Sequence, residues 1–158
     1  MVSMTDLQTP SLQARIGLWK GGVEIFKDYP LTGCGYKCVD LVHSQYPDPI
    51  GYGEKGVNFI GYVAYFKGMH NNIVQLLIDT GVIGLGFWIF IWVTYFIEIL
   101  KRFRALANQT CQNNSQGILM GSLAAAIAFL IGGFFETNIY DSEVAMLLYF
   151  LMGISLTD

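Results

Sequence analysis

GVIGLGFWIFIWVTYFIEIL, residues Gly81–Leu100, is the stretch that decides the fold class. Its single charged side chain is Glu98. Twenty helical residues rise about 30 Å, which is the thickness of a hydrocarbon core. Backbone polar groups in lipid must be satisfied within the segment, and a helix does that by itself. Six aromatics (Phe87, Trp88, Phe90, Trp92, Tyr95, Phe96) run through the whole stretch instead of forming belts at its ends, so part of its surface is expected to pack on other helices. Glu98 stands one turn before Lys101 and Arg102, an arrangement suited to the exit of a span.

Downstream lie KRFR and a polar linker, ALANQTCQNNSQ, followed by a second apolar run, Gly117–Phe135. That run is rich in Gly, Ala and Ser, residues that let helices approach closely in lipid. ETNIYDSE leads to a third run, Val144–Leu156, short for a full span and read either as entering through the interface at Tyr140 or as cut off at Asp158. The basic cluster Lys101, Arg102 and Arg104 places the linker in the cytoplasm, and the acidic loop 136–143 then lies outside. By alternation residues 1–80 lie outside too. The expected fold is therefore an all-α polytopic membrane protein. It has two to three transmembrane helices (81–100, 117–135, 140–156) and an extracytoplasmic region, 1–80, made of an amphipathic helix and a long loop.

Composition agrees. Of 158 residues 53% are apolar and 13% charged, about half the charge of a soluble domain. A net charge of -3 with no basic stripe excludes nucleic acid as a partner. Met1 to Gln13 is polar and has no apolar core of a cleavable signal. A membrane protein whose first span begins near residue 80 reads as the C-terminal part of a larger helical membrane fold. Three cysteines without supporting histidine pairs make no zinc site. Cys34 and Cys38 are close enough to pair outside the cytoplasm, and otherwise are two small unpaired residues.

The outer segment carries the chemistry-bearing residues. Ala14–Asp28 reads as an amphipathic helix with Ile16, Trp19, Val23 and Phe26 on one stripe, and Arg15 one turn before Trp19 at its edge. Tyr29-Pro30 stops it. LTGCGY follows as a tight turn with close backbone approach at Gly33 and Gly35. Residues 36–69 are loop-like and bear Tyr36, Tyr46, Tyr52, Tyr62 and Tyr65, rings that suit a carbohydrate surface and a membrane interface equally.

Three strings occur in order: RIGLWKGGVEIFKDYPLTGCG (15–35), HNNIVQLLIDTGVIG (70–84) and FFETNIYDSEVAMLLYFLMG (134–153). Within them, Arg15-x3-Trp19, Pro30-x2-Gly33-x-Gly35, His70-Asn71-Asn72 and Gln75-x3-Asp79-x-Gly81 carry a resemblance to the membrane O-antigen ligase/polymerase family. That resemblance covers nearly the whole chain. It implies a bacterial inner-membrane, multi-pass glycosyltransferase that moves a glycan from a polyprenyl-diphosphate carrier, such as undecaprenyl diphosphate, to an acceptor hydroxyl of a glycolipid, a glycan or a protein. No cofactor, metal or nucleotide sugar is implied. It also implies further N-terminal spans, and an active cleft lined by an Arg of the external helix and the His before the last spans.

The chemistry fits those residue types. Departure of a lipid diphosphate builds negative charge, and a guanidinium stays charged and grips phosphate oxygens bidentately. Arg15, the one Arg in residues 1–80, is the candidate, its plain alternative being an anchor snorkelling to headgroups. An attacking hydroxyl loses a proton, which a His accepts. His70 is that candidate, with Asn71 or Asn72 capping the next helix, whose positive end favours a neutral base; its plain alternative is a loop His in solvent. Trp19, Asn71, Asp79 and Glu136 are the candidate substrate-binding residues. Asp79 orients His70 or an acceptor, or merely makes the chain polar before Gly81. Asp141 and Ser142 are expected to cap the last helix. Two rival readings remain: a truncated, non-catalytic membrane fragment, and a transporter subunit, against which stands the near absence of charge inside the spans.

Overall fold

The computed structural model describes residues 10–46, 68–107 and 114–157. The tyrosine-rich stretch with Tyr52, Tyr62 and Tyr65 lies outside those residues, as does Cys111 in the linker. The described residues are helical and contain no strand. They form α1 (Pro10–Asp28), a single turn α2 (Val39–Val42), α3 (Asn72–Ala107), α4 (Asn114–Gly132) and α5 (Ser142–Ser155). One-turn 3₁₀ segments occupy His43–Gln45 and Asn138–Tyr140. Two compact units divide the chain, one ending at Leu85 and the other beginning at Gly86.

In the first unit α1 stops at Asp28, where Tyr29-Pro30 was expected to stop it, and begins at Pro10 instead of Ala14. Proline is at home in a first helical turn, because its missing N–H would be unsatisfied there anyway. The face that α1 buries is Gly17, Leu18, Gly21, Gly22 and Ile25, and Val23, expected on the buried stripe, is exposed. Glycines add nothing to an apolar stripe, yet they mark where another element comes close. Leu18 and Ile25 enter a core with Met69, Ile78, Cys38 and Val39.

α3 is one continuous assignment with a break in it: Gly81 has φ 66° and ψ −170°. The stretch expected to open a span therefore begins at a break inside a helix that has already run from Asn72. The turn after α1 is sewn onto this break. Cys34 N–H donates to the Ile78 carbonyl and Gly35 N–H to that of Asp79, both at 3.0 Å. In return Val82 N–H donates to the Pro30 carbonyl at 2.9 Å and Ile83 N–H to that of Leu31 at 3.2 Å. These bonds satisfy the backbone groups that a broken helix leaves orphaned. Two glycines permit the approach: a Cβ on Gly33 would strike the backbone of Asp79 and Thr80, and one on Gly81 would strike that of Leu31.

In the second unit the later limb of α3 packs with α4 and α5 around Trp92, Tyr95, Ile99, Leu119, Ala126, Phe129, Leu148 and Met152. Trp92 stacks on Phe129 with ring centroids 5.8 Å apart. Ser122 Oγ donates to the Leu151 carbonyl at 3.0 Å, a bond from α4 to α5 of the kind that joins helices in lipid. Arg102 donates to the carbonyls of Leu156 and Thr157 and so covers the unsatisfied C-terminal end of α5.

α3 is long and apolar enough to cross a membrane, and only 22% of its most apolar window is buried. A soluble core helix would be mostly covered. Here Phe87 (68% exposed), Phe90 (66%), Met146 (66%) and Phe150 (62%) all face outward among the described residues, an apolar surface of the kind that meets lipid or another protein surface. α4 and α5 are apolar but shorter. α4 ends at Gly132, ahead of the expected Phe135, and α5 begins at Ser142. Asp141 holds the N-cap position of α5 but makes no side-chain cap bond.

Candidate functional site

His70 occupies the turn before α3 with φ 49°, a left-handed backbone uncommon for a residue with a side chain. Its neighbours are held on both sides. The Met69 carbonyl accepts a hydrogen bond from Trp19 Nε1 at 2.7 Å, so α1 is tied directly to the peptide leading into His70. The Met69 N–H donates to Gln75 Oε1 at 3.0 Å. On the other side Asn71 Oδ1 accepts from the N–H groups of Ile73 and Val74 at 2.9 and 3.0 Å, which makes Asn71 the N-cap of α3.

Behind this turn a polar chain runs through the core. Gln75 Nε2 donates to Asp79 Oδ2 at 3.0 Å, and both residues are 2% exposed. The same carboxylate oxygen accepts the Lys37 N–H at 3.2 Å, and Asp79 Oδ1 lies 3.7 Å from the Cys38 sulfur. A buried carboxylate is tolerated only when it is hydrogen-bonded, and these bonds supply that. Cys34 and Cys38 are joined as a disulfide with Cα atoms 5.7 Å apart, which selects pairing among the two alternatives the sequence left open. The two sulfurs and an Asp79 oxygen lie within 4.8 Å of one another. As a disulfide the sulfurs offer no thiolate; with both cysteines reduced, the trio would present two thiolates and a carboxylate to a divalent cation.

Of the residues singled out in the sequence, Trp19, His70, Asn71 and Asp79 thus meet in one place. Arg15 stands one turn before Trp19 on α1, on the side of the helix that reaches the Met69–His70 turn. Glu136 is exposed in the turn after α4 and belongs to the other unit. The cavity of about 630 Å³ in that unit is lined by Glu98, Lys101, Arg102, Leu106, Leu119 and Ser155 among others, and by none of the six candidates. Gln75 was missed as a site residue, although a glutamine inside an otherwise apolar helical run was a visible signal.

At the other end of α1, Tyr46 Oη donates to Asp28 Oδ2 at 2.6 Å. The accepting carboxylate keeps the proton on the phenol, with burial adding to the effect, and pushes its pKa up to about 12.

Among known proteins, a family profile described as O-antigen ligase matches residues 1–89. That span includes α1, the sewn turn and the start of α3. No curated protein and no solved structure matches the chain.

Proposed function

The chain belongs to the O-antigen ligase family, and from that premise we propose that it transfers a glycan from a polyprenyl-diphosphate carrier to an acceptor hydroxyl in cell-surface polysaccharide synthesis. The reaction takes place at the outer face of the bacterial inner membrane, with residues 1–80 and 136–143 outside and the apolar helices α3, α4 and α5 in the bilayer. Arg15 grips the carrier diphosphate and stabilises the charge that develops as the glycosidic bond to it breaks. His70 takes the proton of the acceptor hydroxyl as the new bond to the sugar forms. Trp19, Asn71 and Asp79 hold these two groups in register, and Glu136 offers its carboxylate to sugar hydroxyls.

The observation that carries this reading is the Trp19 Nε1 bond to the Met69 carbonyl. It joins the helix that bears the cation to the turn that bears the base. Positioning of this kind is a large part of what group transfer from a stable diphosphate requires.

The test is complementation of a strain lacking its own ligase. The wild-type gene is expected to restore surface glycan on a carbohydrate gel. Arg15→Ala and His70→Ala, each present in membranes at the wild-type level, are expected to lose it. Equal restoration by the Arg15→Ala/His70→Ala double variant would sink the mechanism.

A further inference from the structure

We propose that Gln75 is a positioning residue for His70, acting as the polar strut between the buried Asp79 carboxylate and the peptide that precedes the imidazole. The inference rests on the reading that His70 is the base. Its ground is the geometry of one side-chain amide with both ends engaged: Nε2 on Asp79 Oδ2 and Oε1 on the Met69 N–H, each at 3.0 Å. The amide is 2% exposed, so neither bond exchanges with solvent. Asp79 is itself fixed by the Lys37 N–H at 3.2 Å, next to the Cys34–Cys38 disulfide. The strut therefore runs from the sewn turn, through the first limb of α3, to the backbone beside His70.

His70 needs such support. A left-handed φ of 49° on a residue with a Cβ persists only where its surroundings over-determine it. Trp19 holds the Met69 carbonyl and Gln75 holds the Met69 N–H, so both polar groups of that residue are spoken for. Without the Gln75 bond the Gly68–Met69 peptide is released, Trp19 alone is left to hold the turn, and the imidazole moves with it.

The charge pattern gives a specific test. Gln75→Glu keeps an acceptor for the Met69 N–H but sets a carboxylate against Asp79. Adding Asp79→Asn reverses the donor and acceptor within the pair: the new amide donates to the new carboxylate, while the Lys37 N–H, which shares Asp79 Oδ2 with Gln75, loses its acceptor. In the full gene product, assayed with undecaprenyl-diphosphate-linked oligosaccharide and a lipid A–core acceptor, Gln75→Glu is expected to lower kcat by roughly a hundredfold with donor KM within about twofold. The swapped pair is expected to recover most of that loss, short of the wild-type value by what the Lys37 bond contributes. In the His70→Ala background, Gln75→Glu should cost nothing further, whereas a merely structural residue would cost the same in both. The chain has two histidines, so NMR of histidine-labelled protein, assigned with His43→Gln, reads the imidazole directly without activity. The His70 signal is expected to shift in Gln75→Glu and return in the swapped pair.

An unmoved His70 signal, or wild-type kcat in Gln75→Glu while His70→Ala is inactive, overturns the strut. If His70→Ala stays active, the catalytic reading fails instead, and the NMR result alone then decides whether Gln75 places the ring. If Gln75→Glu does not accumulate, the swapped pair decides: recovered kcat and a wild-type signal support the strut, and loss of either, or failure to fold, overturns it.

Discussion

Asn71 and Tyr46 show what single residues do here. Asn71 caps α3 with one side-chain oxygen on two backbone N–H groups. Removing such a cap costs about 1 kcal/mol, so Asn71→Ala should lower the thermal midpoint in detergent by a few degrees, and Asn71→Asp should recover most of it. Tyr46 leads to a pH prediction. Its phenol is held protonated by Asp28, with a pKa raised from the ordinary value to about 12. A raised folded-state value means that the stability it contributes is complete below about pH 10 and is lost as pH rises through about 12. Ultraviolet titration should therefore place Tyr46 among the late-ionising tyrosines. Tyr46→Phe should lower the late amplitude by one phenol, and an unchanged late amplitude would overturn the assignment.

At the scale of elements, the break in α3 decides most. Alanine at Gly81 would adopt, at φ 66° and ψ −170°, a backbone that only glycine visits readily, at about 1–3 kcal/mol, and would also collide with the Leu31 backbone. Gly81→Ala should destabilise the first unit by more than about 2 kcal/mol, seen as faster proteolysis between α1 and α3. Gly86→Ala, on the same helix and facing open space, should be neutral or stabilising by up to about 1 kcal/mol. Equal sensitivity at the two positions would refute the account of the break. The end of α1 at Tyr29-Pro30, a cap at Asn71 or Asn72 and the tight turn at Gly33 and Gly35 were legible in the sequence, because each is a local matter of backbone chemistry. The buried face of α1 was not, since Gly21 and Gly22 carry no apolar signal. The break at Gly81 was hidden for a different reason: the carbonyls that accept from Val82 and Ile83 belong to Pro30 and Leu31, far away in sequence. Gln75 escaped likewise, because its importance lies in the partner at each end of its amide.

For the whole molecule, the outward-facing aromatics of α3 make the strongest statement. Phe90 is 66% exposed on a helix long enough to span. An arginine near the middle of a span costs about 2.5–3.5 kcal/mol for insertion. Phe90→Arg should therefore move protein from the carbonate-resistant membrane fraction to the soluble or degraded one, while Phe90→Leu should not. The sequence identified this apolar surface readily, since hydropathy needs no partner to be read. It could not show that Arg102, counted there as a topological charge, is spent on the last carbonyls of α5.

The sewing of the turn onto α3 also sets an order in time. Trp19 and Met69 are 50 positions apart, and Cys34 and Ile78 are 44 apart. During synthesis α1 leaves the ribosome several seconds before its partners exist, at rates of roughly 5–20 residues per second. Through that interval Leu18 and Ile25 have no α3 to cover them, and His70 has not yet been made. α1 thus waits first for the turn at Met69 and then for the first limb of α3, and the sewing is complete only once Ile83 has emerged.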